Sequence, residues 1–63
     1  MFALPIEKVQ PGDVLAFDEH EPVWVTAIKL KKDRFGFDLL YAPNGSEPRW
    51  RGFDESDRVW LKS

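Results

Sequence analysis

The chain has 63 residues, no cysteine and a formal net charge of −2. This length predicts a single domain, residues 1–63, close to the lower limit for a chain that folds alone. The absence of cysteine excludes disulfide bonds and zinc sites that need thiolate ligands. Three Trp, five Phe and one Tyr can supply a compact core, because each ring buries about 150–250 Å².

The apolar pattern and the start of the chain bear on where the protein is found. No apolar run approaches the roughly 18 residues that span a bilayer, and the first residues lack the basic start of a signal peptide. The absence of cysteine suits a reducing compartment. We therefore expect a soluble, cytoplasmic protein with no membrane partner, and from Met1 we expect a complete small reading frame.

The charge is unevenly distributed. Residues 29–51 carry six basic residues against three acidic ones, whereas residues 1–28 carry one against five. This mildly basic middle is far weaker than the basic footprint of a dedicated duplex-DNA binder, so the composition argues against that class of protein.

The first part of the chain predicts two short strands joined by a tight turn. Residues 4–9 form a strand or an extended arm, with Pro5 favouring a sheet edge, and residues 14–17 form a second strand. Between them, Gln10-Pro11-Gly12-Asp13 is typical of a type II turn, because Pro presets φ and Gly tolerates a positive φ. Residues 18–22 form a polar connection.

The most strongly patterned stretch predicts a long β-hairpin. Residues 23–30 and 35–41 are rich in β-branched and aromatic residues, which suit a pleated, half-buried surface better than a helix. The charged residues 31–34 predict the turn between them. The other strands are expected to close around this hairpin.

Turn residues and a short alternation predict the last two strands. Asn44-Gly45 is a strong turn signal, because both residues accept a positive φ. Residues 49–53 alternate basic with aromatic side chains, the period of a half-exposed strand. Asp54, with Asp57 three residues later, predicts a cap on a single helical turn. Residues 58–61 then form the closing strand.

Taken together, these elements predict an all-β protein. The pattern of five or six short strands, with one short helical turn before the last, resembles that of the small SH3-like barrels. Residues 9–15, Val-Gln-Pro-Gly-Asp-Val-Leu, also resemble the x-x-G-D-x-V opening of such barrels, including the KOW domains of ribosomal and transcription-elongation proteins. The resemblance implies a five- or six-stranded barrel with a binding role, and it leaves the partner open.

Curling the sheet on itself buries one side of each strand and protects its edges. Strict alternation places Val25 and Ile28 on opposite faces, so we expect a bulge or a sharp twist near residues 26–27. If Trp50 belongs to the core, Arg49 and Arg51 share the outer face. The predicted inward residues are Leu4, Ile6, Val9, Val14, Val25, Ile28, Phe37, Leu39, Trp50, Val59 and Leu61.

The sequence offers little for catalysis. His20, the only histidine, lies among Asp18, Glu19 and Glu21, but carboxylates adjacent on one loop rarely converge on a metal ion. A solvated turn is expected there. Nucleophilic catalysis needs an activated side chain beside an oriented base, and so small a chain has little room for a pocket. We therefore predict no enzyme activity, no catalytic residue, no metal site and no cofactor.

Aromatic and basic residues form the candidate binding set. The chain has more rings than so small a core can hold, and Trp, Tyr and Arg dominate interface hot spots. We therefore expect a binding module that contacts a partner protein or self-associates. Alternatively, rings beside Lys and Arg bind single-stranded RNA or DNA weakly, or they are only the exposed rim of a thin core. The candidate partner-binding residues are Trp24, Lys29, Lys31, Tyr41, Arg49, Arg51 and Trp60.

Overall fold

The computed structural model describes residues 1–62 and is all-β, as the sequence predicts. Its strands are β1 (Phe2–Pro5), β2 (Val14–Ala16), β3 (Val25–Lys32), β4 (Gly36–Pro43), β5 (Arg49–Asp54) and β6 (Arg58–Leu61). All six belong to one antiparallel sheet, in the order β1-β6-β2-β3-β4-β5. A 3₁₀ turn at Ile6–Lys8 follows β1. Within residues 1–62 no helix has the length and apolar character needed to cross a membrane.

The β3–β4 hairpin is confirmed, but its turn comprises residues 33–35 and not the predicted residues 31–34. Asp33 organises this turn. Its Oδ1 accepts hydrogen bonds from the N–H groups of Phe35 and Gly36, each at 2.8 Å, and its own N–H donates to the Gly36 carbonyl oxygen at 2.9 Å. Phe35 therefore stands at the tip of the hairpin, 80% exposed, and not within a strand.

A reciprocal pair of hydrogen bonds closes the predicted turn at residues 10–13. The Asp13 N–H donates to the Gln10 carbonyl oxygen at 3.1 Å, and Asp13 Oδ2 accepts from the Gln10 N–H at 2.8 Å. Gly12 has a φ of 94°, the positive value that the third position of a type II turn needs. The turn predicted from Pro11 and Gly12 is therefore present.

The same arrangement joins β5 to β6. The Asp57 N–H donates to the Asp54 carbonyl oxygen at 3.0 Å, and Asp57 Oδ2 accepts from the Asp54 N–H at 2.8 Å. The predicted short helical turn before the last strand is therefore wrong. Strand β5 continues through Asp54 and the chain reverses at once into β6, so a β-turn takes its place. The one 3₁₀ turn of the described chain lies instead after β1.

The sheet is strongly curled, but it is not a closed barrel. Its outer strands, β1 and β5, do not pair with each other, so the predicted closure is wrong. Phe17 directly follows β2, and its ring centroid lies 4.9 Å from that of Tyr41 in β4 and 5.6 Å from that of Phe53 in β5. Two strands separate β2 from β5, so these contacts require strong curvature. Contacts of the Phe17 ring bridge the gap where a barrel would have another row of backbone hydrogen bonds.

The core lies on the concave face of the curl. Most of the predicted inward residues are placed correctly: Ile6, Val9, Val25, Phe37, Leu39 and Val59 are buried, and Leu4 and Leu61 pack against them. Val14, Ile28 and Trp50 were predicted wrongly, since they are 38%, 39% and 52% exposed. Leu15, Ala16 and Ala27 are buried without having been predicted.

A β-bulge explains part of this difference. The pairing of β3 with β4 shifts between Ala27 and Lys29, which confirms the irregularity expected near residues 26–27. Ile28 has no partner in the register and stays at the surface, while Ala27 faces the core. In β2 the buried Leu15 takes the concave side, so alternation turns Val14 to the convex side.

Strands β4 and β5 approach closely at Gly36, which pairs with Asp54. A Cβ at Gly36 would overlap the carbonyl oxygen of Phe53, so this position requires glycine for lack of space. The same contact shows that the Phe53 carbonyl group points from β5 towards β4. At Gly52 a Cβ would meet only Asp38 Oδ1, at 3.6 Å, which is an ordinary contact.

Candidate functional site

The seven predicted partner-binding residues lie in three places and not in one patch. Tyr41 and Arg49 share a row with the buried Ala27 across β3, β4 and β5, which places them on the concave face. Lys29 shares a row with Trp50 on the opposite, convex face. By the same register and alternation, Tyr41, Arg49 and Arg51 are concave, Lys29 and Lys31 are convex, and Trp24 and Trp60 lie on the convex side of β2 and its neighbours.

The faces of β5 are the reverse of the predicted ones. Phe53 packs against the core, so alternation places Arg49 and Arg51 on its concave face and Trp50 on the convex face. The concave face of this edge strand opens to solvent at the margin of the sheet. Arginine suits that position, because its aliphatic stem can lie on apolar surface while its charge stays in water.

The open side of the curl forms a groove, which we call the seam. It runs along β5 and contains two adjoining cavities of about 410 and 380 Å³. Phe17 lines both cavities and lies between them. The first is also lined by Asp18, Glu21, Tyr41 and Arg49, and the second by Arg51, Phe53, Arg58 and Trp60.

Arg51 lies over two rings in the middle of the seam. Its guanidinium carbon is 4.6 Å from the centroid of Phe17 and 5.4 Å from that of Phe53. Both distances lie within the range of a cation–π contact. In the described part of the chain, Arg51 is held by rings and not by a carboxylate, so its charge remains open to an acidic group from outside.

The free edge of β5 offers backbone hydrogen-bonding groups. The Phe53 carbonyl points towards β4, and backbone groups alternate in direction along a strand. The N–H and C=O groups of Trp50 and Gly52 therefore point away from β4. Asp54 follows the same direction, but its N–H and C=O are already bonded to Asp57. The usable edge is thus centred on Trp50 and Gly52.

A second feature, the convex patch, comprises Lys29, Lys31, Leu40 and Trp50. Lys29, Leu40 and Trp50 form one row across β3, β4 and β5. The Lys31 Nζ lies 5.8 Å from the centroid of the Trp50 ring. Trp50 is thus a half-exposed ring with Lys31 beside it and Lys29 further along the same face, an arrangement that suits single-stranded nucleic acid.

Trp24 and Trp60 both lie next to the buried Ala16. Ala16 pairs with Trp60, and continuing the β2–β3 register by one residue places it beside Trp24. Ala16 is fully buried although it lies outside the core cluster, so we infer that the two half-buried indoles cover it. The Lys62 Nζ lies 5.7 Å from the Trp24 ring. Trp24 therefore serves packing on the convex side, whereas Trp60 packs there and also borders the second cavity of the seam.

Two carboxyl groups interact beside the hairpin turn. A hydrogen bond from the Phe35 N–H lowers the pKa of Asp33, and further hydrogen bonds from the Asp38 side chain and the Gly36 N–H act in the same direction against partial burial. Its hydrogen bond with the Asp33 carboxyl group raises the pKa of Asp38, as do partial burial and the negative charge of Asp33, while Lys31 opposes the rise. Asp33 therefore loses its proton at a lower pH than Asp38 does.

The acidic loop around His20 forms a local turn. The His20 N–H donates to Asp18 Oδ1 at 2.9 Å, as in an Asx turn. Among residues 1–62, no three His, Cys, Asp or Glu side chains are grouped as metal ligands. Asp18 and Glu21 instead line the seam cavity beside Arg49, where they add negative charge to one end of the groove.

Sequence reasoning missed the residues at the centre of the seam. Phe17 and Phe53 organise the groove, and Gly52 leaves its edge uncovered, yet none of them belongs to the predicted set. Phe17 ends a predicted strand directly before the acidic loop, and Phe53 ends the basic–aromatic alternation. Their positions at the ends of strands are the sequence feature that could have identified these two residues as part of the site.

The comparisons of this chain with protein-family models, with curated proteins and with solved structures each gave no match. The seam and the convex patch are therefore the grounds on which a function can be assigned. Of the two, the seam combines cavities, charge and a free backbone edge in one place.

Proposed function

We propose that this protein is a non-enzymatic, cytoplasmic binding module that contacts a partner protein along the seam. The observation that carries this proposal is the unpaired edge of β5, which lies beside two cavities lined by aromatic and arginine side chains. Aromatic rings and arginine are the residues that contribute most to protein interfaces. An exposed strand edge is also a known means of taking up a partner segment.

The proposal includes an SH3-like fold that resembles the KOW domains. Strands β2 to β5 form a meander, and β6 returns to lie beside β2. That order, the strong curl and the Pro11-Gly12-Asp13 turn ahead of β2 support the resemblance. The extra strand β1 and the open seam are departures from a closed barrel, and they supply the surface that the proposed function uses.

Capture with immobilised protein tests the proposal. Wild-type protein is compared with Arg51→Glu, which reverses a charge in the seam, and with Lys8→Glu, an exposed position in the 3₁₀ turn. We expect proteins retained by the wild type and by Lys8→Glu to be lost with Arg51→Glu, with circular dichroism showing that all three are folded. Equal capture by the two variants would mean that the seam is not the binding surface.

Weak binding of single-stranded nucleic acid is the second candidate function, and the convex patch favours it. Trp50 is 52% exposed with Lys31 close to its ring, so a base could stack while lysines neutralise phosphates. Titration of a fluorescent oligonucleotide at low ionic strength tests this. Binding should fall with added salt and with Trp50→Ala or Lys31→Ala, whereas Arg51→Glu should leave Trp50 stacking in place.

A further inference from the structure

We infer that the seam takes up an extended, acidic segment of a partner protein, which adds to the sheet as a strand beside β5. This inference rests on the proposed function and specifies its partner. The segment is expected to alternate acidic with bulky apolar residues. Three features of β5 lead to it: the direction of its free backbone groups, the position of its arginines and the space at Gly52.

The outer edge of β5 has free backbone N–H and C=O groups. Trp50 and Gly52 direct their N–H and C=O groups away from β4, as the position of the Phe53 carbonyl requires. An extended segment laid along this edge would satisfy those groups with its own backbone, in the manner of strand addition. The turn at Asp54 and Asp57 ends the pairing surface on one side, because the Asp54 backbone groups are already bonded.

The charges of β5 argue for an acidic segment. In an added antiparallel strand, the residues opposite Arg49 and Arg51 lie on the same concave face as those arginines. Opposite charges in such cross-strand pairs are favourable, and like charges are not. Arg51 has only rings beside it, whereas Arg49 shares its cavity with Asp18 and Glu21. The acidic residue opposite Arg51 should therefore contribute more.

The same charges argue against a second copy of this chain as the added strand. If Trp50 pairs with Trp50 of another copy, Arg49 of one strand lies opposite Arg51 of the other. If Trp50 pairs with Gly52, the two Arg51 side chains oppose each other. Both arrangements place like charges together, as edge strands that resist self-association do.

The convex face of β5 determines which residues of the partner segment alternate with the acidic ones. The partner residues opposite Trp50 and Gly52 would lie on this face, beside an indole that is 52% exposed. Gly52 has no side chain, and a Cβ there would meet only Asp38 Oδ1, so a large apolar residue fits opposite it. The preferred segment is thus acidic, apolar, acidic, apolar.

Labelled peptides test the charge and the alternation. The probes are extended peptides of about six residues: one alternates Glu with Phe, one has the same residues with the alternation broken, and one has Lys in place of Glu. In fluorescence anisotropy, we expect the alternating Glu peptide to bind most tightly. Arg51→Glu should weaken it by about tenfold, Arg49→Glu should weaken it less, and Lys8→Glu should not change it.

N-methylated peptides test the backbone pairing without altering the protein. Methyl groups on the amides that face β5 should abolish binding, and methyl groups on the alternate amides should leave it intact. Equal binding by both methylated peptides, or preference for the Lys peptide, would overturn strand addition by an acidic segment. Absence of peptide binding, together with Arg51-dependent capture of proteins, would overturn this inference and leave the proposed function standing. If neither peptide binding nor Arg51-dependent capture is observed, the inference and the proposed function are both wrong. Binding of an oligonucleotide alone would favour the convex patch.

Discussion

The guanidinium carbon of Arg51 lies 4.6 Å from the centre of the Phe17 ring and so connects β5 to the end of β2. These two strands are separated by β3 and β4 in the sheet. The contact therefore spans the open side of the curl, where no backbone pairing exists. Phe53 completes the cluster, because it contacts Phe17 and lies under the same guanidinium group.

Removing the Phe17 ring should loosen this side of the sheet. Phe17 is half-buried and contacts Tyr41, Phe53 and Arg51. We expect Phe17→Ala to lower the free energy of unfolding by about 2 kcal/mol, roughly half the cost of deleting a fully buried ring. Urea denaturation measures the change. The matched control is Phe35→Ala, since Phe35 is 80% exposed and should shift stability by less than about 0.5 kcal/mol.

Adding a methyl group at Gly36 should be far more harmful than adding one at Gly52. In Gly36→Ala the new Cβ overlaps the carbonyl oxygen of Phe53, which is backbone and cannot move aside independently. We expect a loss of about 3 kcal/mol or more, as for other overpacked sites. Gly52→Ala places its Cβ at an ordinary contact distance and should be tolerated within about 1 kcal/mol. Similar thermal midpoints for the two variants would contradict the close approach of β4 to β5.

The Asp33–Asp38 pair predicts opposite pH dependences. The pKa of Asp33 is lowered in the folded state, so its contribution is present above the unfolded pKa and is lost as pH falls through the folded one. The pKa of Asp38 is raised, so its contribution is present below the unfolded pKa and is lost as pH rises through the folded one. At neutral pH, Asp33→Ala should therefore destabilise the protein, and Asp38→Asn should stabilise it.

The measurement is the urea midpoint of each variant at about pH 3 and about pH 7, on either side of the carboxyl range. The advantage of Asp38→Asn should shrink at the lower pH, where Asp38 of the wild type is already protonated. A constant advantage at both pH values would mean that the two carboxyl groups do not interact.

The convex packing of Ala16 gives a fourth prediction. A larger side chain at this fully buried position must displace Trp24 or Trp60, so Ala16→Val should cost about 1–3 kcal/mol. Ala3→Val is the control, because Ala3 lies on the other side of Trp60 and is exposed. Tryptophan fluorescence should shift more with Ala16→Val, which lies between both indoles, than with Ala3→Val, which is exposed and adjoins Trp60 alone. An unchanged spectrum in both would show that the indoles do not cover Ala16.

Much of the fold follows from local chemistry that the sequence displays. The hairpin of β3 and β4, the turn at Pro11 and Gly12, and the irregularity near residues 26–27 depend on neighbours in the chain, and each is present. The turn at Asp54 was located correctly and given the wrong geometry. A carboxylate three residues after an aspartate suits either a helical turn or a β-turn, and only the length of the neighbouring strands decides between them.

The candidate site was harder to predict, because it depends on how far the sheet curls. Alternation at residues 49–53 allows either set of side chains to point to the core. The size of Trp50 favoured the orientation in which Trp50 is buried. The observed facing buries Phe53 instead, since Phe17 and Phe53 meet across the open side. Phe17 and Phe53 are far apart in the chain, and their strands are not neighbours in the sheet. No local sequence pattern therefore predicts their contact.

The position of β6 has a consequence for how the protein matures. This strand is the last of the six to leave the ribosome, yet it lies between β1 and β2. Until it emerges, β1 has no neighbour, and Leu15 lacks the paired Leu61. The β3–β4 hairpin can form early, since its contacts are local. The assembly of the whole sheet must wait for the final strand, so a nascent chain that stops short of residue 58 would lack the strand that connects β1 to β2.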